Sequence, residues 1–219
     1  MDEITHRSVE LPGLRMHVAE CGSGPAVLLC HGFPELWYSW RHQLVALAQA
    51  GYHAIAPDMR GYGGTDAPEA VDAYTILHVT GDMVVLLDAL HIDAAVVAGH
   101  DWGAPVAWHC ALLRPDRFRG VIGLSVPFNA RRAGTAPPSS FWARRGDAMF
   151  YQAYFQEPGV AEADLGADPR ITHRRLLVGA SGDGASGSRH VLVTVSRARA
   201  LRRLQMATMT VIGSPVPRT

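Results

Sequence analysis

In Val96-Val97-Ala98-Gly99-His100-Asp101-Trp102-Gly103-Ala104, a short apolar run meets Gly-x-Asp-x-Gly, and helix-like sequence follows from Trp102 to about Leu113. This is the layout of a nucleophile elbow, a tight strand-to-helix turn with a small residue two places either side of the nucleophile. The glycines have a steric role, because side chains at Gly99 or Gly103 would collide with the neighbouring strand or helix. The familiar elbow carries Ser at its centre; here the centre is Asp101. A carboxylate in that position attacks an alkyl carbon and leaves an ester on the protein. An Asp at a helix start also has a commonplace role as an N-cap favoured by the helix dipole.

The segments on either side repeat a strand-then-helix rhythm. Ile4–Leu11 and Leu14–Glu20 read as two strands joined at Pro12-Gly13, and Ala26–Cys30 as a buried strand. A Trp-rich helix start (Trp37, Trp40) runs to about Ala50 and stops at Gly51. Tyr52–Ala56 is the next strand, closed by the glycine-rich loop Pro57–Gly64. Tyr74–Leu90 carries Ile76, Val79, Met83, Leu86, Leu87 and Leu90 on one broad helical face. Ala94–Ala98 leads into the elbow, and Arg119–Ser125 is a further strand. The alternation predicts an α/β fold with a mostly parallel, doubly wound sheet. After Pro127 the pattern changes, and Phe141–Gln156 and Asp168–Ala180 read as helices without intervening strands.

Composition narrows the functional class. A chain of 219 residues, 48% hydrophobic and 18% charged, has the balance of a soluble globular protein. A formal net charge of +0 gives no electrostatic case for nucleic acid or an anionic membrane. The polar start Met1–Arg7 and the lack of a long apolar run predict a cytoplasmic protein without a transmembrane helix. Cys21, Cys30 and Cys110 have no paired spacing and read as buried free thiols. The eleven histidines show no His-x-x-x-His spacing, so no metal is expected. The glycines at 61, 63 and 64 lack the context of a nucleotide loop, so no cofactor is expected either.

Four segments together resemble the soluble epoxide hydrolases of the α/β-hydrolase fold. They are His31-Gly32-Phe33-Pro34-Glu35, Asp58-Met59-Arg60-Gly61-Tyr62-Gly63, Gly99-His100-Asp101-Trp102-Gly103 and Tyr151-Gln152-Ala153-Tyr154-Phe155-Gln156-Glu157-Pro158-Gly159. The resemblance runs from the N-terminus to about Gly184. It implies a core over residues 1–127, a partial helical cap over 128–184, and an unassigned tail over 185–219 that is disordered or unrelated to the family.

The same resemblance implies a division of labour for a small-molecule epoxide substrate. Asp101 is the nucleophile that opens the ring. The backbone N–H groups of Phe33 and Trp102 form the oxyanion hole, with a cis bond between Phe33 and Pro34 turning the Phe33 amide inward. Phe33, Pro34 and Trp102 line the pocket. Tyr151 holds the epoxide oxygen and donates a proton as charge develops, whereas Tyr154 packs and the second cap tyrosine has no match. His31 is a structural hydrogen-bonding residue, and Asp58 and Arg60 form a loop network without chemistry.

The family mechanism also needs a histidine to activate water and an acid to orient it, both late in the chain. Past the elbow helix only His173 and His190 remain, and His173 falls in a cap helix. Asp183 with His190 could supply acid and base, but too few residues separate them for the helix and strand that belong between. Complete enzymes of this kind run to about 280–320 residues. The expectation is a chain shortened at its C-terminus, with turnover impaired and an uncovered sheet edge open to self-association. Two other readings stay open: a haloalkane or haloacid dehalogenase using the same Asp, and a non-catalytic fragment or binding protein.

Overall fold

The computed structural model describes residues 3–130, 151–180 and 210–213. Its strands are β1 (Thr5–Leu11), β2 (Leu14–Cys21), β3 (Ala26–Cys30), β4 (His53–Pro57), β5 (Ala95–His100), β6 (Phe118–Leu124) and β7 (Thr210–Gly213). They form one sheet in the order β1-β2-β4-β3-β5-β6-β7. The centre, β4-β3-β5-β6, is parallel, and β1 and β2 make an antiparallel hairpin along one side. On the other side β7 runs antiparallel to β6 over Gly120–Gly123. Part of the segment left unassigned by sequence therefore enters the sheet beside β6.

The alternation of side chains explains why helices flank both faces. In β3, Val27 and Leu29 pack with Trp40, Leu44 and Ala48 on the side of helix α1 (Arg41–Gln49). Ala26, Leu28 and Cys30 point the other way, into a cluster shared with α2 (Ile76–Ala89) and α3 (Gly103–Leu113). A strand buried on both faces has to be apolar throughout, and every residue of β3 is buried. Helix boundaries follow local chemistry. The Thr75 hydroxyl accepts from the His78 N–H to start α2, and α1 ends before Gly51 at φ 83°. Of the face expected on α2, Met83, Leu86 and Leu87 are fully buried, and Ile76, Val79 and Leu90 pack partly buried beside them.

The loop after β4 is pinned by the polar residues assigned to it. Asp58, 2% exposed, accepts from the Trp37 N–H at 2.9 Å, the His17 ring at 2.8 Å and the Gly64 N–H at 3.1 Å. Arg60 donates through two nitrogens to the two oxygens of Asp82 on α2, each at 2.6 Å, with side chains 11% and 7% exposed. A paired charge of this kind holds loop to helix, and loss of one partner strands the other in a poorly hydrated site.

The chain divides into two compact units, one holding the sheet and the other the described residues 151–180. The described helices of the second unit are α4 (Tyr151–Tyr154), α5 (Val160–Gly166) and α6 (Pro169–Ala180). Asp168 starts α6 by accepting from the Ile171 N–H at 3.0 Å, with Pro169 at the first helical position. The sequence reading missed α5. It is seven residues long with Ala161 its only buried residue, so it leaves no hydrophobic period to detect. Of the helix expected over Phe141–Gln156, residues 141–150 lie outside the described part, as do Asp183 and His190.

The Arg60–Asp82 pair gives the first test. Asp82→Asn is expected to cost about 3 kcal/mol in chemical denaturation, and replacing both partners by apolar residues to cost less than the single change. Equal losses in the single and double variants would show that the pair is not coupled.

Candidate active site

Two steric contacts set the turn between β5 and α3. A Cβ on Gly99 would lie 2.0 Å from the Gly103 carbonyl oxygen, and one on Gly103 would lie 2.1 Å from that of Cys30. Both positions exclude any side chain, which lets the helix begin three residues after the strand ends. Between them Asp101 takes φ 50°, a left-handed conformation that costs a non-glycine residue of the order of 1–2 kcal/mol. Backbone bonds hold it there. The Ala104 N–H donates to the Asp101 carbonyl at 3.0 Å, and the Asp101 N–H reaches the Leu124 carbonyl at 3.3 Å and the Ser125 hydroxyl at 3.2 Å.

The loop after β3 meets this turn. The Phe33–Pro34 bond is cis, and the Phe33 N–H donates to Asp101 Oδ1 at 3.0 Å. Asp101 Oδ2 has no hydrogen-bond partner among the described residues. The Trp102 N–H, at the opening of α3, also has no acceptor among them, as befits one of the unpaired amides of a helix N-terminus. The Trp102 residue is 43% exposed.

His31 is fully buried beneath the loop. Its Nδ1–H donates to the Gly32 carbonyl at 2.9 Å, and its Nε2 accepts from the Met59 N–H at 3.0 Å. Both nitrogens are used, which requires the neutral ring, and burial lowers its pKa in the same direction. Its role is to tie the loop after β3 to the loop after β4, as expected from the sequence.

Three residues beside Asp101 had no role assigned from sequence. Tyr62 stacks edge-on against His31, and burial, followed by the negative charge of Asp101, pushes its phenol up to about 12. Glu35 accepts from the Gly32 N–H and from the His100 ring, each at 3.1 Å. The third is Ser125. Glu35 and His100 both stand inside the quoted motifs, but nothing in the spacing reveals that residues 65 positions apart meet.

The second unit holds Tyr151 and Tyr154. Tyr151 accepts from Gln152 Nε2 at 3.2 Å and packs edge-on against the Phe155 ring. Tyr154 donates to Asp164 at 3.0 Å, committing its hydroxyl within that unit. His173 bonds the Pro169 carbonyl one turn back on α6, an ordinary exposed helix residue. No group of three or more His, Cys, Asp or Glu side chains suited to a metal occurs among the described residues. The three cysteines are buried free thiols, and burial pushes Cys110 up to about 12.

The Glu35–His100 pair makes stability depend on pH. The hydrogen bond to Glu35 is the main cause that raises His100 above its ordinary 6.5, against the opposing effect of burial. Burial disfavours the Glu35 carboxylate, but the bond and charge of His100 with the Gly32 N–H outweigh it and hold the group below 4.5. The raised histidine stabilises fully below 6.5 and loses that contribution as pH rises through its folded value. The lowered carboxyl stabilises above 4.5 and loses its contribution as pH falls through its folded value. The melting temperature gap between the wild type and Glu35→Gln is therefore expected to be widest between pH 4.5 and 6.5 and to narrow as pH rises further. A gap that does not vary with pH would show that the pair is not ionised in the fold.

Comparison with known proteins fits this geometry. A family model described as alpha/beta hydrolase fold matches residues 25–162. Epoxide hydrolase 2 of Siraitia grosvenorii is 54% identical over 167 residues, which cover 76% of this chain and 52% of that protein. Epoxide hydrolase A of Mycobacterium tuberculosis is 52% identical over 177 residues, covering 80% of this chain and 55% of that protein. The solved structure of an epoxide hydrolase from an endophytic Streptomyces superposes with a TM-score of 0.79 at 50% identity, over 83% of this chain and 54% of that one. The chain spans about half the length of the curated relatives it matches. No described helix is long and apolar enough to cross a membrane. A Gly-His-Asp-Trp-Gly elbow at the end of a parallel strand, matched over most of the chain, shows that this protein belongs to the α/β-hydrolase fold family.

Proposed function

We propose that Asp101 opens an epoxide by forming an alkyl ester, the first half of conversion to a vicinal diol. The observation that carries this reading is the carboxylate at φ 50° on the elbow, with the Phe33 N–H on Oδ1 and no partner for Oδ2 among the described residues. Names shared by relatives at 44–54% identity support it.

The division between the two oxygens suits the reaction. Oδ2 attacks an epoxide carbon; the new C–O bond forms as the ring C–O bond breaks, and the ring oxygen leaves as an alkoxide. Tyr151 is proposed to hydrogen-bond that oxygen and give it a proton. Oδ1 becomes the ester carbonyl oxygen and already sits on an amide donor. When water adds to the ester, that oxygen becomes an oxyanion, and the N–H groups of Phe33 and Trp102 are proposed to stabilise it. The rings of Phe33 and Trp102, with Pro34, are proposed to line the substrate pocket. The chemistry as written uses no cofactor.

Ester hydrolysis needs a base and an orienting acid, and among the described residues no histidine is hydrogen-bonded to the Asp101 carboxylate. His31 is neutral with both nitrogens engaged, so it is not the missing base. The ester is therefore expected to accumulate. Intact-protein mass spectrometry after incubation with styrene oxide is expected to show one adduct on the wild type and none on Asp101→Ala. An adduct that persists in Asp101→Ala would refute the assignment, and halide release from a haloalkane without epoxide opening would favour a dehalogenase.

A further inference from the structure

Both peptide planes of Asp101 are tied down, and one of the ties is a side chain. The plane after Asp101 is held by the Ala104 N–H on the Asp101 carbonyl at 3.0 Å. The plane before it is held through the Asp101 N–H, which is shared between the Leu124 carbonyl at 3.3 Å and Ser125 Oγ at 3.2 Å. With both planes set, φ of Asp101 and the direction of its Cα–Cβ bond follow, and these aim the carboxylate at the Phe33 N–H. The Leu124 carbonyl survives any substitution at its position, whereas the Ser125 hydroxyl can be removed by one that keeps the backbone donors in place.

The placement of Ser125 is specific. The parallel register of β5 and β6 pairs His100 with Leu124, so Ser125 is the next residue, level with Asp101 as both strands end. Ser125 also has positive φ, at 64°, which turns the chain out of β6 where its hydroxyl meets the elbow. Two adjacent left-handed non-glycine residues joined by a hydrogen bond form a mutually supported pair, each holding the other in a sparsely populated conformation. The Ser125 O–H has no acceptor among the described residues, so its oxygen serves here as an acceptor only.

We propose that Ser125 is a positioning residue for the Asp101 carboxylate, acting through the Asp101 backbone amide. The proposal rests on Asp101 being the nucleophile. A residue that aims the carboxylate alters the rate of alkylation rather than the affinity for the epoxide, and small misplacements of a reacting group cost large factors in rate. Asn is the natural rescue at this site, because it tolerates positive φ and its side-chain carbonyl can accept from the same amide.

The test is the rate of Asp101 ester formation on the full chain, followed by intact mass over a range of styrene oxide concentrations. Ser125→Ala is expected to lower the limiting alkylation rate by about tenfold with the half-saturating concentration unchanged, and Ser125→Asn to restore most of it. An alanine variant as fast as the wild type, or an asparagine variant as slow as alanine at equal melting temperature, would overturn the proposal. If the wild type itself forms no adduct, the nucleophile assignment fails separately. Amide hydrogen exchange of the segment holding Asp101 then decides the contact, with faster exchange expected in Ser125→Ala and protection regained in Ser125→Asn. Unchanged exchange in Ser125→Ala would refute the role of the hydroxyl.

Discussion

The closeness of β5 and α3 is the constraint on which the rest of the site depends. Backbone oxygens stand 2.0 and 2.1 Å from where side chains at Gly99 and Gly103 would begin. A methyl at either place would push the helix off the sheet, and Asp101 would relax toward an ordinary negative φ. Its carboxylate would then leave the Phe33 amide. The small residues are thus the condition for a strained acid to be held at the end of a parallel strand. The cost of that strain is offset by the hydrogen bonds of Ala104, Leu124 and Ser125 and by packing of Val106, Ala107 and Trp108 beneath.

Around this turn lies a polar frame that contains little chemistry and much geometry. His31, Asp58 and Arg60 each satisfy several partners across separate loops, and each is buried or nearly so. Buried polar groups of this kind cost stability unless fully paired, and when paired they allow one arrangement only. Trp37 shows the consequence: its N–H on Asp58 fixes the chain just after the Phe33–Pro34 bond, so the loop carrying the Phe33 donor is held from behind. Glu35 and His100 close the other side through a charge-assisted contact.

The parts of this fold legible in sequence were those governed by local rules. Strand β3 matched its expected limits because a strand buried on both faces is apolar at every position. Helix α1 stopped at a glycine, a signal confined to a turn of chain, and α2 followed its hydrophobic face at helical spacing. Helix α5 escaped because it buries only Ala161, and pairing of β7 with β6 escaped because Thr210-Val211-Ile212-Gly213 is too short to show a period. At the site, Asp101 and the loop of Phe33 stood out through glycines and a proline at fixed offsets. Ser125, Glu35 and Tyr62 did not, since ordinary residue types carry no spacing signal for a contact across the sheet.

By itself the sequence determined that Asp101 sits on a strand-to-helix elbow inside an alternating α/β chain. That follows from sterics and periodicity, which act within a few residues of one another. Tertiary structure alone decided which carboxylate oxygen meets an amide, which tautomer His31 adopts, and that Ser125 rather than some other hydroxyl touches the Asp101 backbone. These depend on strand register, and register comes from packing the whole sheet between its helices, so no local stretch of residues contains it.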